Sequence, residues 1–283
     1  MKIKDQIVKF LLEYAKTAKI DGFVVGVSGG VDSAVVSTLC AETGLPTSVI
    51  SIPIKQQTSE LDRADIHMTW LNKYPNVVSY TVSMGLYSDD SIFDQFCKHL
   101  LSMFRTYPEN WTDEAFDQYK LTESNTKSRF RMIILYFYAG LNKYLVVGTG
   151  NKIEDYGVGF FTKYGDGGVD LSPIGDLTKT EVRTLAKDLG INDDIIIAKP
   201  TDGLWEDGRT DEEQLGATYE ELEWAMKYIE NNPKGFAYSP EDLIKLNERE
   251  RIVLHIYKSK HFANEHKILP IPICKIKKQE SDI

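Results

Sequence analysis

An α/β fold with a doubly wound, mostly parallel sheet and helices on both faces is what this 283-residue chain predicts. Three observations carry it. Short runs rich in β-branched and apolar residues alternate with longer stretches of helical periodicity, the connections between them are short, and the first such run passes through a glycine-rich turn directly into a helix. No internal repeat, low-complexity run or linker divides the chain, so residues 1–283 are expected to form a single domain.

In chain order, Ile7, Phe10, Leu11, Tyr14 and Ala15 recur at helical spacing, which predicts an amphipathic first helix ending before Asp21-Gly22. Phe23 to Val27 reads as a buried strand and Ala34 to Glu42 as a helix. Ser48 to Ile54 is a second strand, Asp62 to Asn72 a helix, and Val77 to Val82 a third strand. Met84 to Asn125 mixes aromatics, including Tyr87 and Tyr107, with acids and Pro108; it reads as helical pieces joined by loops. Thr126 to Tyr144 predicts a helix with Arg129 and Arg131 near its start, where two cations oppose the helix dipole unless an anion lies nearby. Tyr144 to Val147 is the fourth strand. Two acidic helices, Glu212 to Ile229 and Pro240 to Arg251, follow and read as packing or partner surface.

The turn after the first strand, Ser28-Gly29-Gly30-Val31-Asp32-Ser33, carries chemistry. Two glycines permit positive φ and close backbone approach, so successive amides can converge on an anion at the positive end of a helix. The lysine of a G-x-x-x-x-G-K-[ST] loop is absent. Asp32 stands there instead, and a carboxylate beside phosphate oxygens is repulsive unless a hard divalent cation lies between them. The loop therefore predicts magnesium.

Composition narrows the field. A net charge of -9 argues against a nucleic-acid surface, which needs basic side chains to neutralise phosphates. The three cysteines, Cys40, Cys97 and Cys274, sit in no paired or zinc-like spacing, as expected of a reduced, cytoplasmic protein. Charges interrupt the first 22 residues and no apolar run reaches membrane-spanning length, so neither a signal peptide nor a membrane partner is expected.

The string Ser-Gly-Gly-Val-Asp-Ser resembles the pyrophosphate-binding loop of the N-type ATP pyrophosphatases, a superfamily of adenine nucleotide alpha hydrolase-like fold. A second constellation narrows the resemblance. Gly148-Thr-Gly-Asn-Lys-Ile-Glu154, Gly159 to Asp170, Pro173-Ile, Leu177-Thr-Lys179, Asn125 to Met132, Lys199 to Trp205 and Thr210 to Gly216 together resemble the NAD synthetase family, in the family's order. The resemblance implies ATP as co-substrate and Mg2+. The reaction it implies adenylates the nicotinate carboxylate of deamido-NAD, releases pyrophosphate and lets ammonia displace AMP.

Carried over by position, Gly26, Val27, Ser28, Gly29, Gly30, Val31, Asp32 and Ser33 hold the ATP phosphates, with Thr149, Lys179 and Thr201 as further ATP contacts. Asp32 and Glu154 bind the metal. Arg129, Lys163, Asp170, His266 and Lys267 contact deamido-NAD, and Asp166 serves ammonia, which makes Asp32, Lys179 and Asp166 the catalytic set. Lys258-Ser-Lys-His261 competes with His266-Lys267 for the C-terminal role, and Glu60 and Asp62 match the family's second loop only in part. The family's homodimers extend to this chain by resemblance alone. Its first synthetase strand is reached by residue 23 and no cysteine lies in a nucleophile motif, so free ammonia is the expected donor. Two rivals are a GMP-synthetase-like amidase of the same superfamily and a nucleotide sensor that has lost catalysis; retention of both Asp32 and Glu154 counts against the sensor.

Overall fold

The computed structural model describes residues 1–84, 91–104, 111–205, 207–232 and 234–276. Four parallel strands, β1 (Gly22–Gly26), β2 (Thr47–Ser51), β3 (Val77–Thr81) and β4 (Tyr144–Val146), form a sheet in the order β3-β2-β1-β4. The register pairs Phe23 with Thr47 on one side of β1 and with Leu145 on the other. A lone parallel bridge, Val147 to Leu171, extends the β4 edge.

Alternation along β1 assigns the two faces. Phe23 and Val25 pack with α1 (Ile3–Ala18), α2 (Val31–Glu42) and α6 (Lys179–Leu189) through Leu11, Val35, Leu39 and Leu185. Val24 points the other way, with Val146 and Ile50, onto α4 (Ile92–Met103) and α5 (Asp113–Asn142) through Phe93 and Ala139. Next to it, Val49, Ala64, Met68 and Leu71 pack α3 (Thr58–Leu71) onto the first face. Helices thus cover both faces. A separate cluster of Ile153, Tyr219, Leu222, Val253 and Tyr257 joins a π-helical turn (Lys152–Val158) to α8 (Asp211–Leu215), α9 (Tyr219–Glu230) and α11 (Glu248–Ile268). Short helices α7 (Asp193–Ile196) and α10 (Pro240–Ile244) complete the set among the described residues.

Several boundaries depart from the sequence reading. In α1 only Ile7, Leu11 and Ala15 are buried; Phe10 and Tyr14 face outward. The helix predicted from Thr126 begins at Asp113, capped by the Thr112 hydroxyl, so Arg129 and Arg131 sit mid-helix and the dipole argument for them fails. Tyr87, Tyr107 and Pro108 lie outside the described residues. Glu212 to Ile229 divides into α8 and α9 at Gly216, whose φ of 82° ends the first helix, and Thr218, which caps the second. No described helix is long and apolar enough to cross a membrane.

α2 is buried on nearly every side, between the sheet and four other helices (α1, α3, α6 and α7), so its polar residues need internal partners. Ser37 donates to the carbonyl of Ser33 at 2.7 Å, and its oxygen lies 2.8 Å from Nε2 of His67, which is itself buried. Desolvation lowers the His67 pKa to about 4. A depressed histidine gives stability that is present above pH 6.5 and is lost as pH falls through about 4. Unfolding free energy is expected to drop by about 3 kcal/mol across that interval, and His67→Gln to flatten the dependence in denaturant titrations.

Candidate active site

The chain leaves β1 for β2 and β3 on one side and returns to β4 on the other, so the loops after β1 and β4 diverge at the carboxyl edge of the sheet. Such a switch point opens a crevice. Gly26 to Ser28, Gly30 to Ser33, Gly148 to Gly150, Glu154, Lys179 and Thr201 line it.

Gly30 is the N-cap of α2 and supplies no side-chain cap, so the first-turn amides of Val31, Asp32 and Ser33 open toward the crevice. Gly29 turns the chain at φ 86°, and a Cβ there would come within 2.1 Å of the Glu60 carbonyl. Only glycine fits. Ser28 and Ser33 brace the turn, their hydroxyls 3.2 Å apart, and Arg63 donates to the Gly29 carbonyl at 3.1 Å.

Lys179, the first residue of α6, is almost fully buried and donates to Asp32 Oδ2 at 2.5 Å and to Glu154 Oε1 at 2.9 Å. Desolvation pulls its pKa down, but attraction to Asp32, Glu154 and Asp211 outweighs this and holds it above the usual lysine value. Asn151 fixes the turn that carries Glu154: its side-chain oxygen accepts from the amides of Ile153 and Glu154, and its amide donates to Asp32 at 3.4 Å. Three loops far apart in sequence therefore meet at one ammonium.

Seven acids and four basic side chains line the crevice. Desolvation, with neighbouring negative charge, raises the pKa of Asp155 well above the carboxylate norm, and burial also raises Asp166 and Asp202. Asp166 accepts from the Ser128 hydroxyl at 2.7 Å and from the Thr162 amide at 2.9 Å.

The residues expected to bind the second nucleotide form a separate group that does not line this crevice. Arg129 donates to the Lys163 carbonyl at 3.2 Å, Lys163 to the His266 carbonyl at 2.5 Å, and Lys267 to the Phe161 carbonyl at 2.7 Å. Desolvation lowers the Lys267 pKa, although Asp166 and Asp155 oppose the shift, which puts this group beside the acidic wall. Asp170 is engaged elsewhere: its oxygens accept from the Val146 amide at 2.7 Å and the Tyr136 hydroxyl at 3.0 Å, at the edge of β4. His261 is held by the Gly157 carbonyl at 2.6 Å and by the rings of Phe236 and Tyr257.

Sequence reasoning singled out stretches that hold Glu60, Arg131 and Asp202 without giving these residues a role. Glu60 is buried and accepts from Thr201, whereas Asp62 is exposed; Arg131 donates to the carbonyls of Ile52 and Gly203, and Asp202 accepts from Leu204 and Gln214. These bonds hold the 200–205 loop over the site. Asp211 stands in the Thr210 to Gly216 stretch of the family resemblance but received no role of its own; in the structure Thr210 and Glu213 form a capping box around it.

A parallel α/β sheet with an uncapped helix N-terminus at its switch point and a lysine between two acids defines a nucleotide-phosphate-binding enzyme. The family model for NAD synthase matches residues 3–269, and the chain belongs to that family. An NH(3)-dependent NAD(+) synthetase of Methanosarcina acetivorans is 34% identical over 275 residues, covering 96% of this chain and 97% of the relative. One from Methanococcus aeolicus is 39% identical over 233 residues, covering 81% and 83%. Among solved structures, NMN synthetase from Francisella tularensis superposes with a TM-score of 0.76 at 28% identity, covering 97% of this chain and 98% of that one. The NH3-dependent NAD synthetase of Campylobacter jejuni, crystallised with nitrate, gives 0.69 at 26%, covering 96% and 98%.

Proposed function

We propose that this chain is an ammonia-dependent NAD synthetase that adenylates the nicotinate carboxylate of deamido-NAD with ATP, releases pyrophosphate, and lets ammonia displace AMP. The convergence of Asp32, Glu154 and Lys179 at the open N-terminus of α2 carries this reading. A carboxylate is a poor acyl acceptor until it becomes a mixed anhydride, and forming one loads charge onto phosphate oxygens.

Helix amides and Lys179 suit those oxygens. Asp32 and Glu154 fit a magnesium ion: both already face one cation, the Lys179 ammonium, and Glu154 Oε2 receives no hydrogen bond among the described residues. Bound there, magnesium would neutralise the departing pyrophosphate. Asp166, in the acidic wall, suits ammonium and the proton that ammonia must lose. Arg129, Lys163, His266 and Lys267, gathered on one side of that wall, suit the pyrophosphate of deamido-NAD, and Thr149 and Thr201 suit ATP.

An exposed apolar face on α5 supports reading the protein as a homodimer. Ile133, Phe137 and Leu141 recur every fourth residue on one face and are 56%, 71% and 70% exposed, an apolar stripe that water disfavours. Sedimentation is expected to show a dimer, and Phe137→Glu to shift it to monomer. The chain is read as one cytoplasmic unit.

The test is pyrophosphate and NAD formation from ATP, magnesium and deamido-NAD, with ammonium and glutamine as alternative donors. Turnover with ammonium is expected, and none above it with glutamine. The likeness to NMN synthetase favours a second reading, amidation of the mononucleotide, so nicotinate mononucleotide is the paired substrate; faster turnover with it would reassign the activity.

A further inference from the structure

Glu154 is held from behind by a residue outside every motif that the sequence singled out. Tyr219, the first residue of α9, is fully buried, and its hydroxyl donates to Glu154 Oε1 at 2.5 Å. The same hydroxyl lies 3.0 Å from Asp211 Oδ2, and the ring lies 4.8 Å from Lys179 Nζ. Asp211 is also buried, and its Oδ1 has no hydrogen-bond partner.

We infer that Tyr219, anchored by Asp211, is a positioning residue that sets the orientation of Glu154. This rests on the reading of Glu154 as a metal ligand. Two donors, Tyr219 and Lys179, converge on Oε1, so the carboxylate cannot rotate without breaking both bonds, and Oε2 of this crevice-lining residue is left without a hydrogen bond among the described residues. A phenol carries one hydrogen and lies within bonding distance of two carboxyl groups. Glu154 takes that hydrogen at the shorter distance, and the buried Asp211, whose carboxyl desolvation pushes up to about 8, keeps its own proton and donates it to the phenol oxygen from the other side. α9 belongs to the helical cluster with α11 and the π-helical turn, so Tyr219 ties that cluster to the nucleotide crevice.

The role separates from packing because Tyr219→Phe removes one oxygen and keeps the ring. The readout is Mn2+ affinity, followed by electron paramagnetic resonance with α,β-methylene ATP bound. Tyr219→Phe is expected to bind Mn2+ about 10- to 100-fold more weakly, with an unchanged KM for deamido-NAD. Asp211→Ala should fall in the same way, and Asp211→Asn, which still offers the phenol a hydrogen bond, should recover most of the affinity. Glu154→Gln is the control. If it weakens Mn2+ binding while Tyr219→Phe does not, the positioning role is wrong; if neither does, the metal assignment fails instead. Equal loss in both Asp211 variants, or in neither, would remove Asp211 as the anchor.

Discussion

Asp32→Asn is expected to leave a folded protein that binds ATP but releases pyrophosphate at least about a thousandfold more slowly. The fall corresponds to about 4 kcal/mol of lost transition-state stabilisation, the scale on which a bound metal and its carboxylate ligand act. The substitution keeps side-chain size and the hydrogen bonds of α2, and Lys179 retains Glu154 as a partner. Circular dichroism should therefore match the parent while the pyrophosphate assay does not. Turnover at the parental rate would show that the acid nearest the phosphate loop takes no part in the chemistry, and the magnesium assignment would go with it.

Lys179→Met is expected to have the largest effect on stability. It leaves Asp32 and Glu154, each with 14% of its side chain exposed, facing each other without their shared cation. Removing one partner of a buried ion pair costs about 3–5 kcal/mol, because the remaining charge keeps its desolvation penalty and loses its compensation. Chelator-treated variant should unfold at lower denaturant than the parent. Magnesium should restore part of the difference, since an ion that binds only the folded state stabilises it by mass action, about 2.7 kcal/mol at a hundred times its dissociation constant. Equal magnesium response in variant and parent would mean that lysine and metal do not share the two carboxylates.

Both expectations start from residues that were legible in the sequence, and the reason is local. The strand, the paired glycines and Asp32 lie within a dozen positions, and each choice answers a backbone or charge requirement visible without tertiary structure. The parallel sheet and its two covered faces followed from the alternation of strands and helices, whereas the order β3-β2-β1-β4 did not. What escaped was what only packing creates. The long α5 hid behind a polar first half in which Glu123, Ser124, Lys127 and Ser128 are buried by contacts with distant loops. Phe10 and Tyr14 fitted helical spacing yet face outward, because spacing finds the apolar stripe but not its width. Asp211 lay in a family motif without a role and Tyr219 read as a packing position inside one long helix; the contact of Tyr219 with Glu154 arises from the folding of α9 against the π-helical turn. Asp170 was carried over by position in the family motif, and the hydrogen bond that its carboxylate accepts from the Val146 amide at the edge of β4 was not legible in the sequence.

α5 also unites two tasks on one rod. Ser128 and Arg131 reach the crevice, while Ile133, Phe137 and Leu141, a turn or two further on, lie bare on the opposite flank. A continuous helix transmits rotation along its axis, so a twist imposed on the bare flank would turn the arginine within the crevice. If two copies pair through that flank, pairing and catalysis are inherited together: a substitution selected for one is screened, in the same step, by the other.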